Sequence, residues 1–143
     1  MTIFHSNHRV FISHSWNREK RRWYYEMCLL LDQHLPNWRD RSVPKAGRYE
    51  NLDDKSLNDE IERLVKDSDV FVVFTYPIVY HSNWLGTELD MAKNAGVPIV
   101  AVRPPDNERP ATKVTEAAAE NCGWDGAEIA AAIDRAVKAK SNA

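Results

Sequence analysis

The six residues Val70–Thr75, VFVVFT, constrain this chain more than any other segment. Bulky apolar residues at successive positions leave neither side of a strand for water. A strand buried on both faces belongs inside a parallel sheet with helices covering each side. The segments around it supply what such a sheet needs. Arg9–Ser13 (RVFIS) predicts a first strand. Asn17 can cap the helix that follows, with Trp23, Met27, Leu30, Leu31 and His34 at helical spacing until Pro36 stops it. Trp38–Val43 is charged and fits only a sheet edge. Asp53 or Asp54 caps a helix that turns Leu57, Ile61, Leu64 and Val65 inward. Ser82 starts a helix that Gly96 ends. Pro98–Val102 predicts a fourth strand, Lys113–Ala119 a short helix and Asn121–Trp124 a fifth strand. Asp125 and Glu128 form a capping box for a last helix carrying Ile129, Ile133, Ala136 and Val137, with fraying from Lys138 onward.

Strands alternating with helices through 143 residues predict an α/β fold: a doubly wound sheet of five parallel strands in the order 2-1-3-4-5. The chain reads as a single domain over 1–143 with its core at about 9–137, without repeats or linkers. A formal net charge of -2 argues against a nucleic-acid or polybasic membrane surface. No apolar run has the length of a membrane span, and Met1–Asn7 lacks the apolar core of a signal peptide, so a cytoplasmic protein is expected. Cys28 and Cys122, far apart in predicted interior segments, read as reduced thiols. His14, His34, His81 and the cysteines show no metal-ligand spacing, and no metal is expected.

One carboxylate breaks the pattern. At about 100° per residue, Trp84, Leu85, Leu89, Met91, Ala92 and Ala95 make an apolar stripe, and Glu88 projects into its middle. A glutamate there is rare unless it is paired or its charge is used. The plainer alternative is a rim glutamate that snorkels or pairs with a neighbour. In the predicted sheet, ligands bind outside the carboxyl ends of the strands, at the switch point beside the first. Ser13, His14, Ser15 and Trp16 border that crevice, with the loop containing Pro44 and the segment ending in Trp84. Hydroxyls, an imidazole and an indole suit a ribose, a phosphate and a stacked ring. They equally suit a turn and a helix cap, and Trp84 equally suits a packing anchor. GxGxxG and GxxxxGK[ST] are both absent, no serine sits in a nucleophile elbow, and the paired acids of a phospho-acceptor domain are missing around the first strand.

Four stretches carry a family resemblance: VFISHSW, WRDRSVP, SDVFVVF and SNWLGTELDMAKNAGVPIVAVRP. Together they resemble TIR-like domains, and most of all the stand-alone bacterial branch that includes the TIR-like proteins of Thoeris anti-phage defence. The likeness runs from about Arg9 to Val137 and rests on FISHSW combined with W-x-x-x-E-[LI]-x-x-A-x-x-x-G-x-P-I. The resemblance implies a flavodoxin-like fold and cleavage of the nicotinamide–ribose bond of NAD+, a substrate rather than a cofactor. It implies release of a cyclic or modified ADP-ribose signal, with Glu88 as the catalytic glutamate. Ser13, His14, Ser15, Trp16, Pro44 and Trp84 become candidate ligand-binding residues, and the Ser42–Tyr49 loop a lid. The signal would be read by a separate effector protein, and a homo-oligomer is compatible with the resemblance. The alternative it leaves open is a catalytically silent TIR-like interaction module.

Overall fold

The computed structural model describes residues 7–13, 21–42, 53–76 and 85–141. Ten elements follow in the order β1 (Arg9–Ser13), α1 (Arg21–His34), β2 (Arg39–Asp40), α2 (Asp54–Lys66), β3 (Val70–Phe74), α3 (Leu85–Ala95), β4 (Ile99–Val102), α4 (Thr112–Ala117), β5 (Glu120–Cys122) and α5 (Gly126–Ser141). The strands form one sheet in the order β2-β1-β3-β4-β5. Every pairing is parallel. This is the doubly wound, flavodoxin-like arrangement.

Alternation along the strands divides the core into two layers. Val10, Ile12, Val70, Val72, Phe74, Val100 and Val102 face Trp23, Met27 and Leu31 of α1 and Ile129 and Ile133 of α5. Phe11, Phe71, Val73, Ile99 and Ala101 face Ile61 and Val65 of α2, Leu89 and Ala92 of α3, and Val114 of α4. All five residues of β3 are buried, so helices cover both of its faces. The rings of Phe11 and Phe71 stack at 5.2 Å between neighbouring strands. Both cysteines are free thiols, Cys122 buried and Cys28 half-buried.

Element ends differ from the sequence expectations for local reasons. β2 is two residues long rather than six. Beyond the Arg41 N–H, which donates to the Val10 carbonyl at 2.8 Å, the ladder gives way to a side chain: Ser42 Oγ accepts the Ile12 N–H at 2.9 Å, while the Ser42 N–H donates to Asp40 Oδ1 at 2.8 Å. β4 starts at Ile99, because Pro98 has no N–H to add to a ladder. β5 covers Glu120–Cys122 instead of Asn121–Trp124, and α4 covers Thr112–Ala117 instead of Lys113–Ala119. α5 continues to Ser141, past the expected fraying point. Asp53 caps α2 by accepting the Ser56 N–H at 2.7 Å. Gly96, at φ +70°, supplies the left-handed residue that closes α3. Asp125 caps α5 as expected, accepting the Glu128 N–H, but the Glu128 carboxylate reaches back to the Gly123 N–H. Asn17 and Ser82, the other expected caps, lie outside the described residues.

Candidate functional site

β1 runs beside β3, with Ser13 in register with Val73 at the carboxyl end of the sheet. Ser13 follows Phe11 by two residues and so faces the α2–α3 layer. α3 lies in that layer, held by Leu89, Met91 and Ala92. Its outer positions Asp90, Lys93 and Asn94 are exposed. Glu88, one position before the anchoring Leu89, is therefore turned inward and is only 4 % exposed.

The two side chains meet. Ser13 Oγ donates to Glu88 Oε2 at 2.6 Å, and Ser13 is itself buried. Glu88 Oε1 has no hydrogen-bond partner among the described residues. Burial is the main influence on this carboxyl and pushes its pKa up to about 7, with the Ser13 hydroxyl pulling more weakly the other way. At neutral pH the group is thus poised between acid and carboxylate. One oxygen is fixed by a strand, and a carboxyl held in this way can accept from a ligand hydroxyl or stabilise a nearby positive charge.

Of the residues singled out in the sequence, Ser13 and Glu88 are brought together. His14, Ser15, Trp16, Pro44 and Trp84 lie outside the described residues, as do 43–49 of the expected lid. Ser42, at the start of that loop, is buried and tied to β1 just before Ser13. Its part in shaping this edge was not legible, because it replaces a strand hydrogen bond with a side-chain one. Among the described residues no three His, Cys, Asp or Glu side chains cluster as a metal site. No helix among them is long and apolar enough to cross a membrane.

Comparison with known proteins agrees with this fold. Among solved structures the chain is similar to a conserved protein from Enterococcus faecalis V583, at TM-score 0.69 and 10% identity, over 90% of this chain and 98% of that one. It is similar to a 2-deoxyribosyltransferase from Bacillus psychrosaccharolyticus at TM-score 0.61 and 14% identity, over 85% and 90%. It is also similar to the Clostridium botulinum CMP N-glycosidase BcmB at TM-score 0.57 and 15% identity, over 89% and 98%. At such identities the likeness is one of fold. No curated protein matches the sequence. A family model described as Thoeris protein ThsB, TIR-like domain, matches residues 11–109, which run from β1 to the loop after β4 and contain both Ser13 and Glu88. The chain belongs to the ThsB TIR-like domain family of Thoeris defence.

Proposed function

We propose that this chain cleaves NAD+ at the nicotinamide–ribose bond, with Glu88 as the catalytic carboxylate, and produces a nucleotide signal in anti-phage defence. The observation that carries the reading is the buried Glu88 carboxyl, fixed by Ser13 at the carboxyl end of β1. Two proteins of the same fold, named as a CMP N-glycosidase and a 2-deoxyribosyltransferase, support it by the kind of bond their names imply.

The chemistry asks little of a general acid. Nicotinamide is cationic while attached and leaves neutral, taking the bonding electron pair and unloading positive charge onto the ribose. The protein must orient the ribose and stabilise an oxocarbenium-like transition state, which a carboxylate in a partly dry cleft can do. Ser13 holds one Glu88 oxygen still, and the other faces the ribose hydroxyls or the developing cation. A cyclic product further requires that water be kept from C1′ while a nucleophile of the same molecule attacks. His14, Ser15, Trp16 and Trp84 complete the proposed pocket, and a separate effector protein reads the product.

The test is incubation of the purified chain with NAD+ and chromatography for released nicotinamide, with mass spectrometry of the sugar product. Glu88→Gln should lower cleavage by roughly 10²-fold or more, on the scale of losing one preorganised electrostatic group. A folded Gln variant with undiminished cleavage would overturn the role of Glu88. Absence of cleavage by the wild-type chain, also in phage-challenged cells, would favour the silent interaction module.

A further inference from the structure

The sheet has a second place where neighbouring strands send their helices to opposite faces. β1 leads to α1 on one face and β3 to α3 on the other, and Ser13 and Glu88 lie at this divergence, where the fold expects a ligand crevice. β4 leads to α4, on the face of α2 and α3, whereas β5 leads to α5, beside α1. Connections that part in this way leave a gap above the carboxyl ends of the two strands, for the same reason that ligands sit at a switch point. A cavity of about 310 Å³ occupies that gap, lined by Thr75, Arg103, Thr115, Asn121, Gly123 and Glu128. Its size is at the lower end of small-ligand pockets.

The polar lining is fixed in place. Arg103 Nε donates to the Asn107 carbonyl at 2.6 Å and Nη2 to the Glu108 carbonyl at 2.9 Å. The loop that supplies those carbonyls is locked in turn, because Thr75 Oγ1 donates to the buried Asn107 Oδ1 at 2.5 Å and the Ala111 N–H to the Thr75 carbonyl at 2.8 Å. Both groups bonded to Arg103 are neutral, and Nη1 has no partner among the described residues, so the guanidinium is in no described ion pair, and the carboxylate that shares its cavity is Glu128. Across the cavity, Asn121 Nδ2 donates to the Thr115 carbonyl at 3.1 Å, and Glu128 Oε1 accepts the Gly123 N–H at 3.2 Å. Asn121 Oδ1 and Glu128 Oε2 have no partner among the described residues. A held cation thus faces two held acceptors.

We propose that the β4/β5 crevice is a second ligand site, taking a small phosphorylated compound that also carries hydroxyl or amino groups. Arg103 holds the phosphate through its planar fork, and Asn121 and Glu128 accept from the donors. The Glu128 carboxylate makes a bare anion a poor occupant, so the donors are part of what is recognised. Two strand spacings, roughly 10 Å, separate this crevice from the Ser13–Glu88 one. The assignment does not depend on NAD+ cleavage.

Amide chemical shifts of the isotopically labelled full chain, followed during separate titrations with AMP, ribose 5-phosphate and inorganic phosphate, test it. AMP or ribose 5-phosphate should give saturable shifts centred on Arg103, Asn121, Gly123 and Glu128, and inorganic phosphate weaker ones. Arg103→Gln should weaken the organic phosphates about tenfold, ~1.4 kcal/mol, with its spectrum still dispersed, and Glu88→Gln should leave the shifts centred on Arg103 in place. Glu128→Gln, which keeps an acceptor but removes the repulsion, should tighten inorganic phosphate, and this arm stands even where Arg103→Gln does not fold. Shifts centred on Ser13 and Glu88, no saturable shifts with any probe, or equal affinity for phosphate and AMP would each overturn the proposal.

Discussion

Burial sets the behaviour of Glu88. A carboxyl that ordinarily titrates near 4.5 is pushed up to about 7, so the folded state holds its proton more tightly than the unfolded chain does. The stability tied to that proton is fully present below about 4.5 and is lost as pH rises through about 7. Glu88→Gln carries no such loss and can still accept from Ser13. Its stability should match the wild type near pH 4.5 and exceed it at pH 8, by ~3 kcal/mol at most. Thermal melts at the two pH values check this. The same titration gives activity the opposite trend, since the ionised form is the one that stabilises positive charge. NAD+ cleavage should rise with pH through a midpoint near 7, and a flat profile from pH 5 to 8 would argue against it. The glutamate was legible because it interrupts an apolar stripe. Its serine partner was legible only as a neighbour of the cleft, since which strand position meets which helix position depends on how α3 lies on the sheet.

Two elements are shaped by contacts that periodicity does not carry. β2 is short because Ser42 supplies the acceptor that a longer strand would have given to Ile12. Ser42→Ala removes the side-chain acceptor held against this buried N–H and should cost about 1–3 kcal/mol, read as a lower urea midpoint with unchanged slope. At the other layer, the start of α5 packs on the end of α1. A Cβ added at Gly126 would lie 2.6 Å from His34 Nε2, so the ring must move. Gly126→Ala should destabilise by about 1–3 kcal/mol despite its better helix propensity, as overpacking does. His34→Ala should restore most of the loss in a double-mutant cycle. Strand and helix identities were legible from apolar patterning and caps. The end of β2 was not, since a side-chain acceptor replaces a ladder hydrogen bond there.

At the scale of the whole molecule, the strand order followed from two kinds of strand. VFVVFT could only be interior, and the charged segment around Arg39–Asp40 could only be an edge. The switch point beside β1 followed from that order. The second divergence, between β4 and β5, was present in the same pattern, because the inward faces of α4 and α5 determine the layer each helix joins. It escaped notice because Arg103 and Asn121 have no unusual sequence context. Only the folded loop, with Arg103 clasped by two carbonyls, shows them lining one cavity.

The hydrogen-bonded carboxyl at the end of β1 has a thermodynamic consequence for ligand capture. With its midpoint raised by burial to about 7, Glu88 still carries part of its proton in free molecules at neutral pH. A cationic nicotinamide ring bound beside it favours the ionised form, so association must expel part of that proton into solution. Calorimetric heats for the wild-type chain binding a non-cleavable carbocyclic NAD+ analogue that keeps the cationic ring should therefore differ between two buffers of unequal ionisation enthalpy, by most near pH 7. The same measurement on Glu88→Gln should give one heat in both buffers. On the proposed reading, a cell's pH then adjusts how readily this protein takes up its dinucleotide.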